Sequence, residues 1–100
     1  MTWRGYHLPV FEWDTWKADE NRAKHGVAFG EAATVFFDGI ARSQPDGEHS
    51  SALERRYRIV GMSESGRLLV VAYTERGEKL RIISARRATR SEREDYEESE

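Results

Sequence analysis

The chain has 100 residues, 16 Lys and Arg against 18 Asp and Glu, a formal net charge of −2, and no cysteine. That length supports one domain with a small core. Without thiols there is neither a disulfide framework nor a thiolate zinc site, so packing and hydrogen bonds must hold the fold, and a reducing cytoplasm is the natural home. No run approaches about 18 apolar residues and Met1 to Val10 lacks a signal-peptide core, so neither membrane insertion nor secretion is expected.

Val10 to Trp13 is short, apolar and extended in character. Asp14 then suits the N-cap of a helix predicted over Thr15 to His25. Within it Lys17, Asn21 and Lys24 fall at i, i+4 and i+7 as one polar stripe, Trp16, Glu20 and Ala23 lie on another side, and Gly26 ends it as the C′ residue. Phe29, Ala32, Ala33 and Phe36 give a second helix an apolar face that should pack on a sheet, and Asp38-Gly39 stops it. Ile40 to Ser43 reads as an edge strand and Gln44 to Ser51, polar and rich in turn formers, as a mobile loop.

The period then changes to two. Arg56 to Ser63, Arg67 to Thr74 and Lys79 to Arg86 are predicted strands, joined by turns at Glu64-Ser65-Gly66 and at Glu75 to Glu78 in an antiparallel meander. Leu68 to Ala72 is apolar on both faces, which places that strand centrally under helices on at least one side. Thr89 and Glu92 make a capping box that starts a helix through about Tyr96, before an acidic tail over 97–100. There is no internal repeat and no sign of a second domain; two helices, an antiparallel meander and a short C-terminal helix make an α+β layout.

The near-neutral total hides a segregation of charge. Residues 1–54 hold 5 basic and 9 acidic groups, 55–93 hold 11 and 4, and 94–100 hold 0 and 5. A middle segment of net +7, folded into one sheet, creates a local positive field suited to nucleic acid. Strand-face arginines that only solvate the sheet are an equal reading.

Phe11-Glu12-Trp13-Asp14, Lys17, Asn21, Lys24-His25-Gly26-Val27, Phe29, Ala32, Phe36, Asp38, Glu54-Arg55, Gly61, the run from Arg81 to Ala88 and Glu92-Arg93 to Tyr96 carry a further signal. In order and spacing they resemble the BrnT family, toxins of bacterial type II toxin–antitoxin pairs, from about Val10 to Glu98. The resemblance implies a RelE-like fold and one toxin domain over 1–100, with 1–9 outside it as a flexible extension. It also implies an endoribonuclease that arrests translation and growth, and a BrnA antitoxin whose ribbon-helix-helix dimer binds operator DNA and holds two toxins in a 2:2 complex.

Cutting RNA without a metal requires a base for the 2′-hydroxyl, donors for the phosphorane-like oxygens and an acid for the departing 5′-oxygen. His25 is the leading proton-transfer candidate because an imidazole changes charge near neutrality; a histidine that only bonds the last carbonyls of its helix is the plain alternative. Glu54 and His49 are alternative bases if the polar loop folds back to the sheet, although Glu54 equally suits a surface pair with Arg56 or Arg58. His7 is incidental. The histidines lack metal-ligand spacing, so no metal and no cofactor is expected.

Arg86 closes the third strand of the meander beside the last helix, where it can take a phosphate, and antiparallel pairing brings Arg67 to the same end. Strict alternation puts Arg86 with Ser84, Ile82 and Leu80 on one face and Arg81, Ile83, Ala85 and Arg87 on the other, so Arg81 and Arg86 should not share a pocket. Tyr73 can donate to a phosphate or stack on a base, but packing is the commoner use of a strand tyrosine. Trp13 and Trp16 read as core. The catalytic candidates are therefore His25, Glu54, Arg67, Arg86 and Tyr73, with Lys17, Lys24, Arg81 and Arg87 binding RNA. The competing function is a non-catalytic nucleic-acid-binding module or co-repressor acting through its basic sheet.

Overall fold

The computed structural model describes residues 9–99. In chain order these form β1 (Val10–Glu12), α1 (Thr15–His25), α2 (Phe29–Thr34), a 3-10 turn (Val35–Phe37), β2 (Arg42–Pro45), β3 (Arg56–Met62), β4 (Leu68–Arg76), β5 (Lys79–Arg87) and α3 (Arg90–Glu98). The strands make one sheet in the order β1-β5-β4-β3-β2. The antiparallel meander appears as expected, with β2 pairing antiparallel to β3. The extended segment expected from Val10 forms β1, and its parallel pairing with β5, Phe11 opposite Leu80, is the unexpected feature that makes the sheet mixed. All but Pro9 of the expected flexible extension, His7 included, lies outside the described residues.

Local chemistry sets the helix ends. Lys17 N–H donates to Asp14 Oδ1 at 3.1 Å, and Gly26 takes a left-handed φ of 69° while its N–H reaches Arg22 O, so α1 has the bounds its caps encode. The second helix is shorter than its apolar face suggests. Thr34 Oγ1 turns back to donate to Glu31 O at 2.7 Å, the chain tightens into the 3-10 turn, and Val35 and Phe36 are both buried. At the C-terminus the capping box of Thr89 and Glu92 forms, and α3 runs on past Tyr96 to Glu98, so the first two residues of the acidic tail are helical.

The segment read as a mobile loop is tied at both ends. Gln44 and Pro45 belong to β2 opposite Arg58 and Tyr57. Beyond them Asp46 N–H donates to Arg56 O at 2.7 Å, Ser50 Oγ donates to Asp46 O at 2.7 Å and Arg56 N–H donates to Ser50 Oγ at 2.9 Å. Short polar side chains that signal a loop in sequence here supply its anchors.

The core lies between one sheet face and the helices. Val27, Phe29, Ala32, Val35 and Phe36 pack against Ile59, Leu69, Val71, Tyr73, Leu80, Ile82 and Ala85, with Phe36 and Tyr73 edge to face at 4.9 Å between ring centres. β4 is central and lined on this face by apolar side chains, as its sequence indicated. Trp13 joins the core edge through Phe29. Trp16, by contrast, is 75% exposed, because it lies on the flank of α1 away from the sheet-facing Asn21. On the other sheet face α3 is anchored by buried Tyr96, whose hydroxyl donates to Asp38 Oδ2 at 2.7 Å. No helix among the described residues is long and apolar enough to cross a membrane.

Candidate functional site

A β-bulge decides which arginines share a surface. β4 and β5 pair Ala72 with Ser84 but Tyr73 with Ile82, leaving Ile83 as the extra residue. Alternation restarts beyond it: Leu80, Ile82, Ala85 and Arg87 face the helices, while Lys79, Arg81, Ser84 and Arg86 face the opposite, open side. The strict alternation that separated Arg81 from Arg86 is therefore overturned.

On the open face one cross-strand row reads Arg42, Val60, Val70, Arg86 and the next reads Gln44, Arg58, Ala72, Ser84. The first row spans about 14 Å, three strand spacings. Over it α3 leaves a cleft of about 410 Å³, with Arg42, Gln44 and Arg58 on the strand side, Val60 and Val70 on the floor, and Glu92, Asp95 and Tyr96 among the α3 residues.

The cations of this face are steered by carboxylates. Arg86 binds Glu92 through Nη1 at 2.8 Å and Nη2 at 3.0 Å, and Glu92 Oε1 also accepts Thr89 N–H at 2.8 Å. The Arg86 hydrogen bond, against burial and with help from Thr89, holds the Glu92 carboxyl down at about 2, and Glu92 in turn raises Arg86 above its ordinary value. Arg81 Nη1 meets Glu12 Oε2 at 3.2 Å across the β1–β5 pair. Arg42 is exposed and without an ion-pair partner among the described residues.

Where β2 ends, His49 Nδ1 lies 2.9 Å from Asp46 Oδ2, and Arg58 Nε is 3.8 Å from the same oxygen. Burial pushes the Asp46 carboxyl up, but the His49 hydrogen bond and the charges of His49 and Arg58 outweigh it, and its pKa falls below the ordinary aspartate value.

A second cationic surface lies on the helix side at the opposite end of β4 from Arg76. Asn21 is buried and pairs with the β5 backbone, donating to Ala85 O at 2.9 Å and accepting Ala85 N–H at 3.0 Å. It also donates to Val27 O at 3.0 Å. These bonds fix the end of α1 against β5. Arg67 reaches across from the β3–β4 turn, binding Glu31 through Nε at 2.9 Å and again through Nη2, which also donates to Gly26 O at 3.1 Å. The Arg67 hydrogen bond is the main reason that Glu31 is held at about 2; burial opposes it, and Ser65 and Ser63 add to it.

Lys17, Lys24 and His25 flank Asn21 on α1 at i−4, i+3 and i+4, and Arg87 leaves β5 on the helix side two residues after Ala85. All four are exposed and without ion-pair partners among the described residues.

The nine candidate residues thus divide. His25, Arg67, Lys17, Lys24 and Arg87 gather at this helix-side corner, and Arg81 and Arg86 share the open face. Glu54 lies elsewhere, bound to Arg56 Nε at 3.0 Å and to Arg76 at 3.7 Å. That position is at the far end of the nine-residue β4, about 30 Å from Arg67 along the strand. Tyr73 is 5% exposed in the core with its hydroxyl bonded to Ser43, and burial, the largest influence, raises its pKa. No three His, Asp or Glu side chains among the described residues converge as a metal-binding set.

The family model for the ribonuclease toxin BrnT of type II toxin–antitoxin systems matches residues 13–92. The chain belongs to the BrnT family. Its fold is similar to the 1.1 Å crystal structure of the Brucella abortus ribonuclease toxin BrnT, with a TM-score of 0.64 and 24% identity over 83% of this chain and 100% of that one. No curated protein matches it in sequence. As a BrnT-family ribonuclease toxin, it acts on RNA and pairs with an antitoxin.

Two open-face residues, Arg42 and Gln44, carry no mark of a site in the sequence, and Arg58 reads there only as a surface partner of Glu54, because the cleft depends on the packing of α3 over the sheet. The readable signal was Asp46 three residues before His49, a spacing that a turn can close into a hydrogen bond.

Proposed function

We propose that this chain is a metal-independent endoribonuclease that cuts RNA by attack of a 2′-hydroxyl on the neighbouring phosphate, arresting translation and growth in the cytoplasm. The observation that carries this reading is the Ile83 bulge, which sets Arg81 and Arg86 on one face with Arg42 and Arg58. Cationic donors fixed before the reaction stabilise charge that develops on phosphate oxygens without reorganising. Arg86 is pre-oriented in this way, since Glu92 and Arg87 O occupy three of its five N–H groups and two stay available. Lys17, Lys24, His25, Arg67 and Arg87 hold the RNA backbone where it passes the sheet end, a charge contact that carries no sequence information.

The antitoxin is proposed to be a BrnA-type ribbon-helix-helix dimer that covers the arginines with an acidic or helical segment and binds operator DNA as a 2:2 complex. Size-exclusion chromatography of the coexpressed pair should give one peak, and two separate peaks count against it. The activity itself is tested with pure chain and RNA in excess EDTA. Fragments ending in 2′,3′-cyclic phosphate are expected, and intact RNA, or cutting that EDTA abolishes, overturns the reading.

A further inference from the structure

We infer that His49 is a proton-transfer residue of the RNA-cleaving site, with Asp46 as its positioning residue and Arg58 as the adjoining phosphate donor. This inference rests on the ribonuclease reading and assigns a residue to its chemistry.

The geometry is that of an oriented imidazole. Asp46 accepts from Nδ1 at 2.9 Å, which fixes the proton on that nitrogen and leaves the Nε2 lone pair facing outward. The carboxylate that does this is itself anchored: its residue is 9% exposed, its N–H donates to Arg56 O and its carbonyl accepts from Ser50 Oγ. The His49 side chain is 60% exposed while that of Asp46 is 11% exposed. The reactive edge of the ring is thus open to substrate and its orienting partner is not.

Arg58 links the pair to the open face. Its Nε is 3.8 Å from Asp46 Oδ2, it stands opposite Gln44, and it borders the cleft with Arg42. A phosphate held by Arg58 would lie beside the Asp46–His49 pair, because Arg58 approaches the same carboxylate oxygen that orients the ring. Asp46 is the charged group in contact with the ring among the described residues, Glu48 precedes His49 in the chain, and Arg58 on β3 shares the Asp46 oxygen. His25, for comparison, has no hydrogen-bond partner for its ring among the described residues.

The step balances without a co-reactant. Nε2 takes the proton of the 2′-hydroxyl, the O2′–P bond forms and the P–O5′ bond breaks. O5′ leaves with a proton from water, and His49 returns its own to solvent. The products are a 2′,3′-cyclic phosphate and a 5′-hydroxyl.

The test compares single-turnover cutting of RNA by the full wild-type chain with His49→Ala, His49→Gln, Asp46→Asn and Arg81→Ala, alongside RNA affinity and a pH–rate profile. His49→Ala and His49→Gln should lose about 10²–10³-fold in rate, change affinity by less than about threefold, and lose the limb of the profile that reports the base. Added imidazole should restore part of the His49→Ala rate, an effect a merely structural histidine would not show. Asp46→Asn should lower the rate by at least about tenfold, since an amide no longer holds the proton on Nδ1, and shift the same limb. If both His49 variants cut within about threefold of wild type with an unchanged profile while Arg81→Ala is inactive, the role of His49 is refuted and the ribonuclease reading stands. If the wild-type chain cuts no RNA, both fall.

Discussion

Arg67 and Arg86 leave the same end of the sheet in opposite directions. Arg67 turns to the helices, where Glu31 and Gly26 O receive it, whereas Arg86 stands opposite Val70 and turns to Glu92 under α3. Hairpin geometry brings their backbones together and the pleat parts their side chains. A phosphate cannot bridge them across the sheet, and the two cationic surfaces take separate tasks.

Acid should unfold the protein through these same two pairs. Glu31 and Glu92 are both held at about 2, below the ordinary 4.5. A carboxyl whose folded pKa is depressed stabilises the fold above its unfolded pKa and loses that contribution as pH falls toward the folded value. The melting temperature should therefore change little on their account from pH 7 to about 5 and drop between about 4.5 and 2. Glu31→Gln should blunt that drop; an equal drop in the variant would assign it to other groups.

Asn21 serves two elements with one amide. Its bonds to Ala85 N–H, Ala85 O and Val27 O are buried, so Asn21→Ala leaves those backbone groups without partners. A loss of about 3 kcal/mol in denaturant unfolding is expected. A loss under about 1 kcal/mol would mean that water replaces the amide.

Gly61 marks a close approach between β3 and the chain that leads into β2. A Cβ there would stand 2.7 Å from Ala41 Cβ, 2.9 Å from Val35 Cγ1 and 3.2 Å from Asp38 Oδ2. Gly61→Ala should cost about 1–3 kcal/mol, and an unchanged denaturation midpoint would show that the 3-10 turn yields freely.

The helix-side corner should respond to salt. Lys24→Ala and Arg87→Ala should each weaken RNA binding for all sequences alike and reduce the slope of log affinity against log salt by about 0.7. An unchanged slope in either variant would remove that residue from the RNA contact surface.

Sequence was most informative where structure is local. Asp14 and Gly26 delimit α1, and Thr89 with Glu92 starts α3, because caps are satisfied within a few residues. The meander followed from its period of two. The parallel pairing of β1 with β5 depends on contacts between residues 10–12 and 79–81, which no local pattern reports. The bulge at Ile83 carries no chemical signature, since an isoleucine fits either a regular strand or an extra residue, and missing it reverses the face of every side chain from Ser84 onward. Asp46 and His49 are visible as a spacing, but their approach to Arg58 needed the pairing of β2 with β3. Trp16 shows the limit of composition: an aromatic residue reads as core until the facing side of its helix is known.

The most direct measurement is the single-turnover rate of RNA cleavage in EDTA for Arg81→Ala and Arg86→Ala beside Lys24→Ala and Arg87→Ala, each confirmed folded by its melting curve. If the open face is where phosphate is cut, the first two lose about 10²–10³-fold and the second two stay within about tenfold at saturating RNA. Full activity in Arg81→Ala and Arg86→Ala, with collapse in Lys24→Ala and Arg87→Ala, would contradict it and move the reaction to the corner around His25.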